Sequence, residues 1–318
     1  MKKNAKRQMF QLIFTLLCSS VIIFSCSQNL SDGQDEYSHD YEDVADEDDG
    51  LLVGGARIDI RADTITANTP RGVLIKRGEF IWEKITRTKY VHYADRIIDD
   101  IDRVYEYDCS GFLYSIIIYD ALPNHADNLL SWKMKLHPKD FSVRACTFYD
   151  YFRDSILGAN TVTENAYWRV FTSIDSLKKG DLIIVRYDDD WRDEWIDSTG
   201  HASTGHVMIA WDIKAVNANN EVEIQVYDCA SSGHTVSADT RYCNSIPVAE
   251  INEDSGKPSG IGFGWMKYKI STTVDRRPFA YKWSLNSTHW YNLYNGDEIN
   301  EPGIKYDRIK GIIFARPI

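Results

Sequence analysis

The chain reads Tyr107-Asp108-Cys109-Ser110-Gly111-Phe112 immediately before an apolar run that extends from residue 113 to residue 119. An acidic residue followed by small residues and a long apolar stretch predicts the start of a buried helix. The Asp108 carboxylate can accept the free amide protons of the first turn, so we predict Asp108 as the N-cap. Cys109 then lies where the helix dipole favours an anion, which stabilises a thiolate. We therefore interpret Cys109 as a nucleophile.

A nucleophilic thiol needs a general base, and the chain contains eight histidines. Among them, His206 opens a clear apolar strand, at 206–211. The next predicted strand, 222–228, ends on Asp228, whose carboxylate could orient the imidazole. The sequence therefore predicts a catalytic relay of Cys109, His206 and Asp228. Asn217 and Glu223 remain alternatives for the third member of this relay.

Three short motifs occur in a specific order: Asp-Cys-Ser-Gly-Phe at 108–112, Gly-Asp-Leu at 180–182 and Gly-His-Val at 205–207. In this order they resemble the NlpC family of papain-like cysteine peptidases, and the resemblance covers roughly residues 80–232. It implies an α+β, papain-like fold, in which a nucleophile helix packs on an antiparallel sheet. It also implies an activity, the cleavage of peptide bonds in bacterial peptidoglycan.

The same resemblance suggests further site residues. Tyr90 matches the tyrosine segment that precedes the nucleophile in that family and often serves the oxyanion site, and Asp108 and Ser110 flank the nucleophile as further substrate or oxyanion candidates. Two departures stand out. Family members usually carry histidine, asparagine or glutamine where this chain has Asp228, and the interval between Cys109 and His206 is long. The long interval predicts a helical insertion at about 124–176.

The N-terminus predicts export. Basic residues at 2–7 precede an apolar stretch that ends at Cys26, and the segment resembles the signal and lipobox of bacterial lipoproteins. We therefore predict a signal peptide at 1–25 and lipidation at Cys26. Residues 27–50 contain ten acidic residues and neither lysine nor arginine, so we expect a disordered tether at 26–50. The expected location is the bacterial membrane, on its periplasmic face or at the cell surface.

Residues 51–318 are predicted to form one papain-like cysteine peptidase domain. Apolar runs predict strands at 181–187, 206–213, 221–228 and 261–270, with a last strand near 311–316. An aromatic-rich C-terminal region follows at about 271–318, and its role is left open. The acidic segment 188–194 could be a lid, a subsite for a free amino terminus, a calcium loop or a solvated loop.

Composition narrows the possible partners. The net charge is −11 with no basic stripe, which disfavours nucleic-acid binding. The histidines and cysteines show no regular metal spacing, so we predict neither a metal nor another cofactor. The expected partners are peptidoglycan peptides and, through Cys26, a membrane, with the protein as a monomer. Two alternatives stay open: an amidase or acyltransferase that uses the same thioester, and a non-catalytic cell-surface binding module.

Overall fold

A computed structural model describes residues 66–91, 97–136, 143–187, 204–242, 248–253, 256–273, 275–293 and 308–318. All of them belong to one compact unit, 56–318. The predicted signal peptide, the tether and the lipidation site Cys26 lie outside these residues, as does the acidic segment 188–194.

The helices cluster in the first half of the described chain. They are α1 (Pro70–Lys84); α2, which starts at Cys109–Gly111, continues as a π-helix over Phe112–Ile118 and closes with Tyr119–Ala121; α3 (Pro123–Leu136); and α4, Ala145–Asp150 followed by a π-helix over Tyr151–Leu157. Short 3₁₀ turns occupy Ile174–Ser176, Val236–Ala238 and Thr240–Tyr242. Within the described ranges, none of these helices combines the length and the apolar character needed to cross a bilayer.

Strands make up most of the remainder. They are β1 (Arg87–Tyr90), β2 (Ile97–Asp99), β3 (Val104–Tyr107), β4 (Val162–Glu164), β5 (Trp168–Phe171), β6 (Leu182–Tyr187), β7 (Gly205–Ile213), β8 (Glu221–Ala230), β9 (Val248–Ala249), β10 (Ile251–Asn252), β11 (Lys257–Pro258), β12 (Gly260–Ile270), β13 (Pro278–Lys282), β14 (Tyr291–Leu293) and β15 (Arg308–Pro317).

Seven of these strands close into a β-barrel, in the order β6-β7-β8-β12-β13-β14-β15 and back to β6. All neighbours are antiparallel except β14 and β15, which run parallel. The prediction of an α+β, papain-like fold is therefore wrong. The reason is long-range pairing: β13, β14 and β15, predicted as part of a C-terminal extension, complete the ring.

The barrel has two hydrophobic surfaces, and β6 shows how they divide. Every residue of β6 is buried. Ile183 and Val185 belong to one core cluster together with residues of β8, β12 and β15, whereas Leu182 and Ile184 join a second cluster with α1, α2 and α4. Because alternate strand residues point to opposite faces, the first cluster fills the barrel and the second joins its outer wall to the helices.

The segment predicted as a helical insertion, 124–176, is only partly helical. It contains most of α3 and the whole of α4, but then forms the antiparallel pair β4 and β5, and β5 continues the sheet beyond β15. The strands predicted from apolar runs coincide with β6, β7, β8, β12 and β15 within a few residues.

A smaller four-stranded sheet, in the order β2-β3-β1-β9, leads into α2. Strands β1 and β3 run parallel, with Tyr90 opposite Tyr107. Since α2 begins two residues after Tyr107, this register brings the end of β1 next to the start of α2. Phe112 of that helix packs edge-on against Tyr227 of β8 at 5.3 Å, which fixes α2 on the outer wall of the barrel.

Candidate functional site

Cys109 is the first residue of α2, as the sequence predicted, and its side chain is almost fully buried. The Asp108 carboxylate caps the helix by accepting a hydrogen bond from the Gly111 amide at 2.6 Å. The same oxygen accepts a second bond from the Ser110 hydroxyl at 2.8 Å. Asp108 and Ser110, both predicted as substrate or oxyanion candidates, are thus committed to holding the helix start.

His206 lies near the start of β7 and connects the thiol to Asp228. Its Nε2 is hydrogen-bonded to Asp228 Oδ2, and the Cys109 thiol lies near enough to the ring to interact with it electrostatically. Because Asp228 occupies Nε2, Nδ1 is the nitrogen that remains for the thiol. The preceding residue, Gly205, has φ +135°, and a Cβ there would collide with the carbonyl of Val185. A glycine is therefore required to start the strand at this point.

The protonation of His206 is set by opposing effects. Burial alone would lower the pKa of His206, but the negative charge of Cys109 and the bond to Asp228 raise it to about 9. A raised pKa means that the imidazolium form persists at neutral pH. An imidazolium at this position can stabilise negative charge on the neighbouring sulfur, and a thiolate is the reactive form of a cysteine nucleophile.

Asp228 is completely buried and remains a carboxylate. Burial would raise its pKa, but Arg241 and His234, together with the His206 bond, hold the pKa of Asp228 well below its usual range. Arg241 Nη2 is paired with Asp228 Oδ1 and donates to the Asp228 backbone carbonyl at 2.9 Å. His234 Nε2 lies 3.1 Å from Asp228 Oδ2, the oxygen that His206 also contacts.

The sequence interpretation missed His234, Asp239 and Arg241, which lie in one segment, 233–242. Asp239 ties this segment together: its Oδ2 accepts from the His234 amide at 2.7 Å and from Arg241 Nη1 at 2.8 Å. His234, Asp239 and Arg241 are buried. They stand in an irregular stretch with no periodicity, so no pattern in the segment itself marked them as part of the site.

A signal for this segment does exist in the strand beneath it. β12 carries alternate glycines, Gly260, Gly262 and Gly264, on one face. A Cβ on Gly262 would lie 2.8 Å from Arg241 Cγ, and one on Gly264 would lie 2.6 Å from His234 Cδ2. Glycine at alternate strand positions indicates close approach by another backbone. Read this way, the Gly-x-Gly-x-Gly pattern would have predicted that a segment crosses this strand.

Tyr90 lies close enough to Cys109 and Asp108 to interact with both electrostatically. Burial is the largest cause, and these two charges add to it, in raising the pKa of Tyr90 well above its usual range. The Tyr90 hydroxyl therefore keeps its proton at neutral pH.

The aromatic C-terminal region also contributes to the site. The ring of Trp283, just after β13, lies 5.0 Å from the His206 ring and 4.4 Å from the His234 ring. Its backbone carbonyl is 2.8 Å from His234 Nδ1. This region therefore both closes the barrel and borders the relay.

The two alternatives to Asp228 lie elsewhere. Asn217 is part of the β7–β8 hairpin, where its side chain accepts from the amides of Asn219 and Glu221. Glu223 pairs with Lys214 at 2.8 Å on the surface of the same hairpin. Neither is among the groups that contact His206.

One group of buried side chains could in principle hold a metal ion. His206, Asp228 and His234 each direct a donor atom into the same space, and these atoms all lie within 4.8 Å of one another. A tetrahedral zinc ion with bonds of about 2.1 Å would hold its ligand atoms about 3.4 Å apart. The two histidine nitrogens approach Asp228 Oδ2 more closely than that, and Arg241 already neutralises the carboxylate. The spacing of these donor atoms therefore fits hydrogen bonds better than it fits coordination of a zinc ion.

No family model, curated protein or solved structure matches this chain.

Proposed function

We propose that this protein is an exported cysteine peptidase that hydrolyses peptide bonds in peptidoglycan stem peptides. One observation carries the proposal: Cys109, His206 and Asp228, which are far apart in the sequence, come together in one buried cluster in which His206 is hydrogen-bonded to Asp228 and interacts with the Cys109 thiol. Nucleophile, base and orienting carboxylate are the three parts that thiol-based acyl transfer requires.

The chemistry follows from the charges of this chain. The Cys109 thiolate attacks the carbonyl carbon of the scissile peptide and forms a tetrahedral intermediate. As the C–N bond breaks, the His206 imidazolium gives its proton to the departing amine, which leaves a thioester on Cys109. Water then gives a proton to the neutral imidazole and attacks the thioester, which releases the acid and restores the thiolate–imidazolium pair.

Two donors are available for the oxyanion of the tetrahedral intermediate. The Cys109 amide lies in the first turn of α2, where helix geometry provides no intrahelical acceptor. The Tyr90 hydroxyl keeps its proton and lies near enough to Cys109 for the two groups to interact electrostatically. Donors held near the developing charge account for a large share of the rate in acyl transfer. We assign Tyr90 and the Cys109 amide to this role.

The substrate class is supported by the sequence. The ordered motifs at 108–112, 180–182 and 205–207 resemble those of peptidases that cut cell-wall peptides. The lipobox-like segment before Cys26 would carry the domain to the compartment that contains peptidoglycan. The net charge of −11 disfavours a polyanionic substrate.

The proposal is tested by adding the purified full-length chain to soluble muropeptides and identifying products by mass spectrometry. We expect hydrolysis by the wild type and only background release by Cys109→Ala, because the variant lacks the nucleophile. Cys146→Ala is the matched control, since Cys146 is a free thiol at the start of α4 and is not part of the relay. A thermal melt of each variant establishes that it is folded.

The outcomes separate the alternatives. Full hydrolysis by folded Cys109→Ala would overturn the mechanism. Muropeptide binding without turnover by the wild type would indicate a binding module instead. Addition of a competing amine distinguishes a peptidase from an acyltransferase, because the acyltransferase would yield the amide of that amine in place of the free acid.

A further inference from the structure

Two histidines share one carboxylate oxygen in the buried site, and only one of them reaches the thiol. We infer that His234 is a positioning residue: as an imidazolium it shares Asp228 with His206 and limits how strongly Asp228 stabilises the protonated form of His206. The catalytic role that we assign to His234 rests on the proposed function. The effect of His234 on the protonation of His206 can be measured without turnover.

The hydrogen bonds of His234 determine its charge. Its Nδ1 faces the backbone carbonyl of Trp283 at 2.8 Å, and a carbonyl oxygen can only accept. Its Nε2 faces Asp228 Oδ2 at 3.1 Å, and Asp228 is a carboxylate, which also only accepts. A neutral imidazole has a single N–H and could satisfy one of these contacts. Both contacts are satisfied together only when both nitrogens carry protons, so the hydrogen-bond geometry favours the imidazolium form of His234.

The buried charges balance when His234 is protonated. Asp228 on β8 and Asp239 are negative, and Arg241 and His234 are positive, all of them buried. Isolated buried charges are strongly unfavourable, so a neutral set of this kind is what burial requires.

The surroundings of His234 come from several elements. Within the described chain, His234 faces Asp228 of β8 and His206 of β7. The centres of the His234 and His206 rings are 6.5 Å apart. Asp239 holds its amide, and the ring of Trp283 covers it at 4.4 Å. Gly264 of β12 leaves the space that its ring occupies. These contacts hold the His234 ring beside Asp228.

This arrangement predicts the effect of removing the charge. The His234 cation repels the His206 imidazolium and draws on the same oxygen, so it opposes the raised pKa of His206, which is about 9. Without the cation, more of the negative charge of Asp228 is available to His206. The imidazolium of His206 should then persist to higher pH.

The test is His234→Gln in the full-length chain, because glutamine keeps a donor for Asp228 and removes the charge. Histidine ring NMR follows the titration of His206, and the alkaline limb of kcat/KM on muropeptides is measured in parallel. We expect both midpoints to move upward by about one pH unit. His289→Gln is the matched control, since His289 is an exposed histidine in the same C-terminal region, and it should leave both midpoints unchanged.

An unshifted or lowered His206 midpoint in folded His234→Gln would overturn the inference and assign His234 a purely structural role. A wild-type ¹⁵N spectrum that shows a neutral His234 tautomer would overturn it as well, even if the variant fails to fold. So would stoichiometric zinc binding that His234→Gln abolishes. Absence of muropeptide hydrolysis would count against the proposed function alone, because the NMR titration would still report on His234.

Discussion

Asp228 receives hydrogen bonds from two histidines and an arginine, and this explains how a full negative charge can serve as the third member of the relay. Neutral side chains usually hold this position in the family that the motifs resemble. Here Arg241 and His234 compensate the carboxylate, so Asp228 can orient His206 without acting as an uncompensated charge. The departure in the sequence at Asp228 is therefore matched by cations that the linear pattern did not reveal.

The oxyanion role that we assign to the Tyr90 hydroxyl can be tested by a single substitution. Tyr90→Phe removes the donor near Cys109 but keeps the ring, so we expect kcat to fall by about 10²-fold with little change in KM. Steady-state kinetics on muropeptides measure both parameters.

Tyr105→Phe is the control for this change. Tyr105 lies on the neighbouring strand β3, and its hydroxyl donates to Asp100 at 2.6 Å rather than to the site. The kcat of Tyr105→Phe should match that of the wild type. A Tyr90→Phe variant with unchanged kcat would remove Tyr90 from the oxyanion site.

At the scale of elements, the site depends on how the 233–242 segment crosses β12. The alternate glycines of β12 form a flat surface, and this surface lets His234 and Arg241 approach Asp228 on the adjacent strand. The helix α2 supplies the other half of the site, because its capped N-terminus holds Cys109 at the wall of the barrel. The geometry of the candidate site thus depends on one helix start and one closely packed crossing.

Gly264→Ala should disrupt that crossing. The added Cβ would lie 2.6 Å from His234 Cδ2 and 2.9 Å from His234 Cβ, so the segment must shift. We expect the free energy of unfolding to fall by about 2 kcal/mol. We also expect kcat/KM to fall by about 10²-fold, because Asp228 loses its alignment. Urea unfolding and muropeptide kinetics measure the two effects.

Gly158→Ala provides the comparison. Gly158 has a positive φ, +59°, unlike Gly264, but a Cβ there meets nothing within 4 Å. Backbone strain of about 1 kcal/mol is the expected cost, with unchanged activity. Equal losses of activity in both variants would show that the crossing has no special role in the site.

At the scale of the whole molecule, the barrel closes through its last strand. β15 pairs with β6, β14 and β5, so the C-terminal residues join elements that are more than 100 residues apart in sequence. Near its end, Arg316 Nε and Nη2 donate to the two oxygens of Asp181 at 2.8 and 2.7 Å. Asp181 belongs to the Gly-Asp-Leu motif and is fully buried. The motif therefore has a structural use here, in anchoring β15 beside β6.

Arg316→Gln should destabilise the closed barrel. The change leaves the Asp181 carboxylate buried without its bidentate partner, which typically costs about 3 kcal/mol of the free energy of unfolding. Urea denaturation followed by circular dichroism measures the loss.

Lys214→Gln is the matched control for the loss of an ion pair, because Lys214 and Glu223 form an exposed pair on the β7–β8 hairpin. Its expected cost is below about 1 kcal/mol. If both variants lose the same stability, the Arg316–Asp181 pair does not hold the barrel closed.

The sequence by itself determined the local features of this protein. It identified the capped helix start at Cys109 and the strands around His206 and Asp228, because capping and alternation of apolar residues act over a few neighbours. It also grouped Cys109, His206 and Asp228 through their motifs, which the structure brings together. The function assigned to them stays a proposal.

Only the tertiary structure decided the closed barrel and the cations around Asp228. Ring closure depends on pairing between β15, β14 and β6, and backbone pairing of this kind leaves no local periodicity that distinguishes an open sheet from a closed one. His234 and Arg241 come from an irregular segment, and their role arises from burial beside a carboxylate on another strand. Such electrostatic compensation depends on distance in space rather than on spacing along the chain.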